Sequence, residues 1–257
     1  MSDLEADIRA VSIADSADIR RAAEAFRDIG RARGQYRILA ADNIASKQPM
    51  VDAEGQILAA SVFGFTAGKE RWWLDSKVAL TSPFARIARY ESEPFLASEQ
   101  GIITRQPNSY LEAIDLSQWS KRIRLPALIG LPVHLPFGQI GIVGLDVPAE
   151  PNKDLRALFA RDADIMHLLA QRFITGYVKV MRRRMWLPAD CMLTKREVEC
   201  LRWAAIGKTD KEISIILSRS HATVRFHIQN AGEKLGAVNR SQAIFKAAQL
   251  GYLGFAA

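Results

Sequence analysis

The last quarter of the chain is punctuated by helix starts and stops at short intervals, and this spacing limits its fold more tightly than any other feature. Leu193-Thr-Lys-Arg-Glu197 is a capping box: Thr194 caps a helix and Glu197 reaches back to the cap amide. That helix runs to about Ile206 and stops at Gly207, which can adopt the left-handed conformation without a Cβ clash. Asp210 is expected to cap a second helix, with Ile213, Ile216 and Leu217 facing inward. Ser220 caps a third, and Asn239-Arg240-Ser241 opens a fourth, SQAIFKAAQLGYL, whose Ala243, Ile244, Ala247 and Leu250 face a core or a partner. Four short helices with a brief turn between the second and third match a helix-turn-helix module.

The third helix, within Ser218 to Gly236, has two unlike faces. Val224, Ile228, Ala231 and Leu235 recur at helical spacing and form a buried stripe. The opposite face carries Arg225, Phe226, Gln229 and Glu233, flanked by Thr223, Asn230 and Lys234. Taken alone, this face reads as a solvated arginine beside a core phenylalanine. Charge adds a second observation. The chain carries +7 overall, and residues 191–257 hold ten Lys/Arg against five Asp/Glu, preceded by Arg182-Arg183-Arg184. A small basic module suits a polyanion, nucleic acid being the commonest.

Composition excludes several classes. With 257 residues, 49% of them hydrophobic, the chain suits two ordinary domains and not a disordered polymer. No apolar run reaches the ~20 residues of a spanning helix, and the opening MSDLEADIRAVSIADSADIRRAAEAF is not expected to be a signal peptide. Cys191 and Cys200 lie without a neighbouring His/Cys set, so neither a disulfide framework nor a zinc site is expected, and the compartment reads as cytoplasmic. There is no P-loop, no G-x-G-x-x-G after a strand, no G-x-S-x-G and no metal-spaced set among His134, His167, His221 and His227. No enzyme, metal or cofactor is expected.

The chain divides near WLPADCMLT, giving an N-terminal domain over 1–185, a linker at 186–192 and the helical domain at 193–257. Residues 154–184 read as one long helix with Leu155, Leu158, Ile165, Leu168, Leu169 and Phe173 as an apolar stripe. Residues 18–32 read as helical, as do most of 69–90, interrupted by Pro83. QYRILAADNI and GQILAASVFGF read as strands around an Asp-Ala-Glu-Gly turn, and LPALIGLPVHLPFGQIGIVGLDV as two strands joined at Pro136-Phe137-Gly138. The class is α+β: an N-terminal α/β/α sandwich followed by an all-α four-helix helix-turn-helix domain.

From Leu193 to Leu253 the sequence closely resembles the DNA-binding domain of LuxR-type transcriptional regulators. Leu193-Thr194, Arg196-Glu197, Leu201, Gly207, Lys211-Glu212-Ile213, Thr223-Val224, His227, Lys234-Leu235-Gly236, Asn239-Arg240 and Ala243 carry the resemblance. It implies that the third helix enters the DNA major groove. Arg225 then suits guanine N7 and O6, Gln229 suits adenine, and Phe226 suits a thymine methyl. Thr223, Asn230 and Lys234 suit phosphates, as do the helix start and its cap at Ser220 and His221. His227, nearer the buried edge, and Glu197 read as structural.

The N-terminal part resembles, more weakly, the α/β/α ligand-binding domain of the autoinducer-receptor branch. In receptors for acyl-homoserine lactones this region carries Trp, three residues, Tyr, eight residues, Asp-Pro, then Trp. Here Lys69 and Ala97 stand at the two Trp positions, Trp73 at the Tyr and Ser82 at the Asp; Pro83 matches. The resemblance therefore implies a regulator not controlled by an ordinary lactone. Trp72, Trp73, Ser82, Tyr90 and Trp119 are the candidates for a rebuilt small-molecule pocket, and an aromatic core is the alternative. A lactone receptor with a rebuilt pocket and a phosphorylation-controlled response regulator remain as rivals; for the latter, Asp15 and Asp18 follow no strand. Implied partners are double-stranded DNA, RNA polymerase, and a second copy of the chain or a related regulator. Dimer contacts are expected around Leu158, Ile165, Leu169 and Phe173, and around Ala243, Ala247 and Leu250.

Overall fold

A computed structural model describes residues 3–46, 48–65, 82–117, 119, 125, 127–146, 154–181 and 191–254. The chain divides into two units, Met1–Leu135 with Gln139–Arg182, and Pro136–Gly138 with Arg183–Ala257. The first unit contains helices α1 (Asp3–Ala10), α2 (Asp18–Gly34), α3 (Leu58–Ser61), α4 (Pro83–Tyr90) and α5 (Leu155–Met181). Its strands are β1 (Arg37–Ala41), β2 (Phe95–Ser98), β3 (Gly101–Thr104), β4 (Ala127–His134) and β5 (Ile140–Asp146).

The five strands form one antiparallel sheet in the order β1-β5-β4-β2-β3. The central strand β4, ALIGLPVH, is buried at every position but the last. That explains its near-continuous apolar sequence, since both faces are covered. Alternate residues serve the two faces. Ile129, Leu131 and Val133 join α2 and α5 through Phe26, Met166, Leu169 and Phe173. Leu128 joins Ile87 and Ala88 of α4 with Phe95 and Trp119. The result is the α/β/α sandwich expected from sequence. Pro132, inside β4, lies beyond the stretch paired to β2, so one side there needs no ladder donor. Its carbonyl accepts from His167 Nε2 of α5 at 2.6 Å.

Two glycines let aromatic rings lie against the sheet. Gly130 faces Phe95 across the β4–β2 pair, and a Cβ at Gly130 would lie 2.2 Å from Phe95 Cζ. Phe84 of α4 covers Gly144 of β5, and the rings of Phe84 and Phe95 meet at 5.5 Å and 60°. On the opposite face the Tyr36 hydroxyl donates to Asp162 at 2.6 Å, and Arg161 donates to both carboxylate oxygens at 2.7 and 3.0 Å. Burial alone would raise the Asp162 pKa; the Arg161 and Tyr36 bonds outweigh it and hold the group below the ordinary carboxylate value.

Several expectations are corrected. GQILAASVFGF is not a strand. It holds a single bridge, Val51 to Ile57, and then the helical turn α3. Leu58 of α3 and Val62, Phe63 and Phe65 after it are buried without strand alternation, and Ala59-Ala60 favour a helix over a pleat. The Asp-Ala-Glu-Gly turn does form: the Asp52 side chain accepts from the amides of Glu54 and Gln56, and Gly55 is left-handed. The β2–β3 hairpin was not foreseen, because strands of four residues are too short to display a period.

Half of the stripe expected to dimerise on α5 is spent inside the unit, and Leu158 and Ile165 remain half-buried. Leu169 and Phe173 are fully buried, and Leu158 and Ile165 pack against the same core. Among the small-molecule candidates, Trp119 is fully buried with its indole N–H donating to the Leu125 carbonyl at 2.9 Å. Ser82 is buried at the start of α4. Tyr90 is 53% exposed and stacks on Tyr110, also exposed, so it lines no common wall with Trp119. Trp72 and Trp73 lie outside the described residues, as does Lys69. Among the described residues, no helix is long and apolar enough to cross a membrane.

Candidate nucleic-acid interface

The second unit contains α6 (Lys195–Ala205), α7 (Asp210–Ile216), α8 (His221–Lys234) and α9 (Arg240–Gln249). Its helix starts follow the side-chain chemistry of the sequence. Thr194 and Glu197 form the reciprocal capping box, with Thr194 N–H donating to Glu197 at 2.7 Å and Glu197 N–H to Thr194 Oγ1 at 3.3 Å. Gly207, at φ 93°, ends α6. Ser220 Oγ accepts from the Thr223 amide at 3.0 Å, and Asn239 from that of Gln242 at 2.8 Å. One cap differs from expectation. Thr209, not Asp210, caps α7 and forms a second capping box with Glu212. Asp210, at the first helical position, pairs instead with Arg240 of α9, which also donates to the Lys208 carbonyl. Thr-Asp-Lys-Glu offers two candidate caps, and the Thr–Glu spacing of three decides between them.

The turn between α7 and α8 is made without glycine. Ser218 adopts φ 50°, and the Arg219 amide donates to Ser214 O at 2.9 Å. Val224, Ile228, Ala231 and Leu235 are buried against Cys200, Leu201, Ala204 and Ile213, which orients α8. Arg225, Gln229 and Glu233 are exposed, and Phe226 is 59% exposed with its ring edge toward His227 at 5.8 Å. An exposed phenylalanine amid polar groups on a rigid helix is a surface with a preferred contact. Gln229 is exposed, and its Nε2 donates to Glu233 at 3.3 Å. Ser220 and His221 are exposed at the helix start, while Thr223 and Asn230 lie half-buried on its flanks.

Lys234 is repositioned relative to expectation. Its ammonium donates to both carboxylate oxygens of Glu197 at 2.9 Å, so it braces α8 against α6 while its side chain stays 40% exposed. Glu197 is nearly inaccessible. Burial would raise its pKa; Lys234 and the Thr194 amide outweigh this and hold it below the ordinary glutamate value. Lys246, not singled out from sequence, is buried and donates to the carbonyls of Leu235 and Gly236 at 3.0 and 2.7 Å. It satisfies the exposed end of α8, where cations are favoured. On α9 the expected dimer residues Ala243 and Ala247 are buried in this unit's own core, with Leu250 packed against it. Phe245 of α9 is exposed, as are Val238 before it and Met192, Ile206, Ile215 and Ile216 elsewhere in the unit.

Beside α8 lies a concavity of about 290 Å³ lined by Arg196, Cys200, Leu217, Arg219, Thr223, Val224 and His227. Arg196 and Arg219 had no assigned role in the sequence; that two residues so far apart converge became visible only in three dimensions. Among the described residues, no group of His, Cys, Asp and Glu is placed to hold a metal ion.

A helix held by three others, its inner stripe buried and its outer face largely polar and exposed, defines the class: this unit is a helix-turn-helix domain. Residues 191–247 match the GerE family, described as "Bacterial regulatory proteins, luxR family". The C-terminal domain belongs to the luxR family of bacterial regulatory proteins.

Among curated proteins the chain is 39% identical over 132 residues to transcriptional activator protein VanR of Vibrio anguillarum, covering 50% of this chain and 52% of VanR. It is 53% identical over 62 residues to the HTH-type quorum sensing-dependent transcriptional regulator VjbR of Brucella melitensis, covering 24% of each. The chain spans about half the length or less of these relatives. Among solved structures, Escherichia coli SdiA is 23% identical, covers 72% of each chain and has a TM-score of 0.39.

Proposed function

We infer that this chain is a transcriptional regulator that binds duplex DNA through α8 and works in the cytoplasm as a dimer. The observation that carries the reading is the outer face of α8, where Arg225, Phe226 and Gln229 stand exposed above the buried Val224, Ile228 and Ala231. A helix of this width fits a major groove. Arg225 donates to guanine, Gln229 pairs with adenine and Phe226 packs on a thymine methyl. Ser220, His221, Thr223 and Asn230 meet the backbone on either side. The relatives' names, transcriptional activator and quorum sensing-dependent transcriptional regulator, support regulation of transcription as the outcome; RNA polymerase is the further partner such an outcome requires.

Two-fold half-site recognition supports the dimer. With Leu169 and Phe173 of α5 and Ala243 and Ala247 of α9 buried, the half-buried Leu158 and Ile165 and the exposed Phe245 are among the apolar residues of these two helices that remain for its contacts. The N-terminal sandwich senses a small molecule or a partner protein other than an ordinary lactone. The test is a mobility shift of the full chain on genomic fragments at several salt concentrations. Retardation that weakens steeply with salt and selects a subset of fragments supports the reading. No retardation at low salt overturns it.

A further inference from the structure

We propose that Tyr90 and Tyr110 are an oxidative modification site, where a one-electron oxidant joins the two phenol rings into a dityrosine within one chain. The inference is independent of the reading of α8. Tyr90 ends α4, and Tyr110 lies in the short 3-10 turn Ser109–Leu111. Their rings stack with centroids 5.7 Å apart and planes 11° from parallel. Both meet water, at 53% and 71% exposure. An oxidant at the surface can therefore reach either phenol, and the two rings have to close by less than the width of one ring to bond.

The pair is held together by its surroundings. Asn108 grips both backbones: its Nδ2 donates to the Tyr90 carbonyl at 2.8 Å, and its Oδ1 accepts from the Tyr110 amide at 3.2 Å. The same Nδ2 donates to Glu91 Oε2 at 3.1 Å. Glu91 is buried, and its other oxygen accepts from the amides of Ser92 and Glu93 at 2.9 and 3.0 Å. Two reacting groups fixed in this way meet at an effective concentration far above that of separate molecules. The remaining three of the chain's five tyrosines are placed otherwise. Tyr36 and Tyr177 are buried, with their hydroxyls on Asp162 and on the Val51 amide, and the Tyr252 hydroxyl donates to the Cys191 carbonyl.

The oxidant is a haem peroxidase supplied with hydrogen peroxide, and the step balances. Each phenol gives one electron to the oxidant and its hydroxyl proton to water, which leaves a phenoxyl radical with spin on the ortho carbon. The two radicals pair to form one Cε–Cε bond. Each bonded carbon then loses its hydrogen as a proton while each oxygen regains one, and both phenols are restored. Net, two ring C–H bonds break, one C–C bond forms, and the released electrons and protons reduce one hydrogen peroxide to two waters. The new bond closes a loop that contains β2 and β3. A closed loop restrains the unfolded chain, so the product should melt above the unmodified protein.

The experiment treats the full chain, at high dilution, with a haem peroxidase and hydrogen peroxide. The expected product shows dityrosine fluorescence, runs as a monomer on denaturing gels, and yields the tryptic peptides 90–105 and 106–121 joined with the loss of two hydrogens. Its yield per chain should not fall on further dilution, as a step within one molecule requires. Tyr90→Phe and Tyr110→Phe keep the stacked ring and remove the phenol, and each should abolish the monomer signal. Tyr252→Phe should leave it at the wild-type level, and Asn108→Ala should lower it severalfold by releasing the two backbones. A monomer signal that survives either of the first two variants overturns the proposal. So does a signal confined to covalent dimers, or no signal under conditions that couple free tyrosine in a parallel sample.

Discussion

The Lys234 ammonium of α8 lies 2.9 Å from both carboxylate oxygens of Glu197 in the capping box of α6. One carboxylate therefore caps one helix and holds another. Glu197 is buried, whereas the Lys234 side chain is 40% exposed, so the two partners are not equivalent. Lys234→Ala is expected to cost about 1–3 kcal/mol, because it leaves a buried carboxylate short of a donor. Glu197→Ala removes the cap as well and should cost more. Chemical denaturation followed by helical circular dichroism checks both. A larger loss for Lys234→Ala than for Glu197→Ala would contradict the assignment of the cap to Glu197.

The same pair sets an acid limit. Glu197 is held below the ordinary glutamate value of 4.5 in the folded protein. A depressed folded pKa means that the unfolded chain binds protons first. The stabilisation is complete above the unfolded value and is lost as pH falls through the folded one. Stability of the C-terminal domain is thus expected to be flat near neutrality and to fall below about pH 4.5. Glu197→Gln should flatten that fall in melts across pH 3 to 7. An unchanged acid limb in the variant would place the titrating group elsewhere.

Arg225→Ala and Gln229→Ala are each expected to cost about 1–3 kcal/mol on the preferred fragment and to relax preference at one base position. The expectation follows from two exposed bidentate groups one turn apart on a helix whose other side is buried. Competition with systematically altered duplexes is the measurement. Equal loss on preferred and random DNA would make either residue a phosphate ligand.

Ser218 holds the turn before α8 at φ 50°. A non-glycine residue pays about 1–2 kcal/mol in that region, and glycine gives back part of the gain through its freer unfolded chain. Ser218→Gly is therefore expected to stabilise the domain by about 0.5–1 kcal/mol with DNA affinity unchanged. A lowered midpoint in thermal melts would show that the serine side chain offsets its own strain.

Legibility in the sequence followed the range of the interaction. Thr194, Ser220 and Asn239 act within three residues of themselves, so spacing sufficed to place α6, α8 and α9. The α8 faces were legible for the same reason. The long-range pairings were not. Nothing local tells Lys234 to turn toward Glu197, 37 positions away, instead of toward solvent. Likewise, apolar spacing on α5 and α9 cannot separate a core stripe from a dimer stripe: Leu169, Phe173, Ala243 and Ala247 went to the core, and Leu158, Ile165 and Leu250 lie at its edge. The short β2–β3 hairpin and α3 lay below the length at which periodicity decides.

Gly130 and Phe95 provide a test of the sandwich. A methyl group at Gly130 would meet the Phe95 ring well inside van der Waals contact, and that ring is fully buried. Gly130→Ala is expected to cost about 1–3 kcal/mol through overpacking, and Phe95→Ala about 3–5 kcal/mol through the cavity. Combining Gly130→Ala with Phe95→Leu should recover part of the first loss, since the smaller side chain vacates the ring's position. Strict additivity in the double-variant cycle would mean that the two residues do not share the space.

The last expectation concerns lactones. Ser82, at the position where the resemblance places the amide-accepting Asp, is buried at the start of α4, and Ala97, at the second Trp position, is fully buried in β2. A serine hydroxyl does not replace a charged acceptor, whose hydrogen bond is stronger by roughly 1 kcal/mol or more. Ala97 sits between Ile102 and Leu128 in the sheet, where an indole would need the space that Phe84, Phe95 and Trp119 already share with the α4 helix. The chain is therefore expected to fold and to bind DNA in a host that makes no acyl-homoserine lactone, and to show flat thermal melts across a panel of such lactones. A ligand specific to the folded state at 100 times its Kd would add roughly 2.7 kcal/mol, a shift of several degrees. Such a shift with any lactone would refute the expectation. Repeating the melt with Ser82→Ala would then show whether the Ser82 hydroxyl carries the contact, because only a shift that depends on that hydroxyl would disappear.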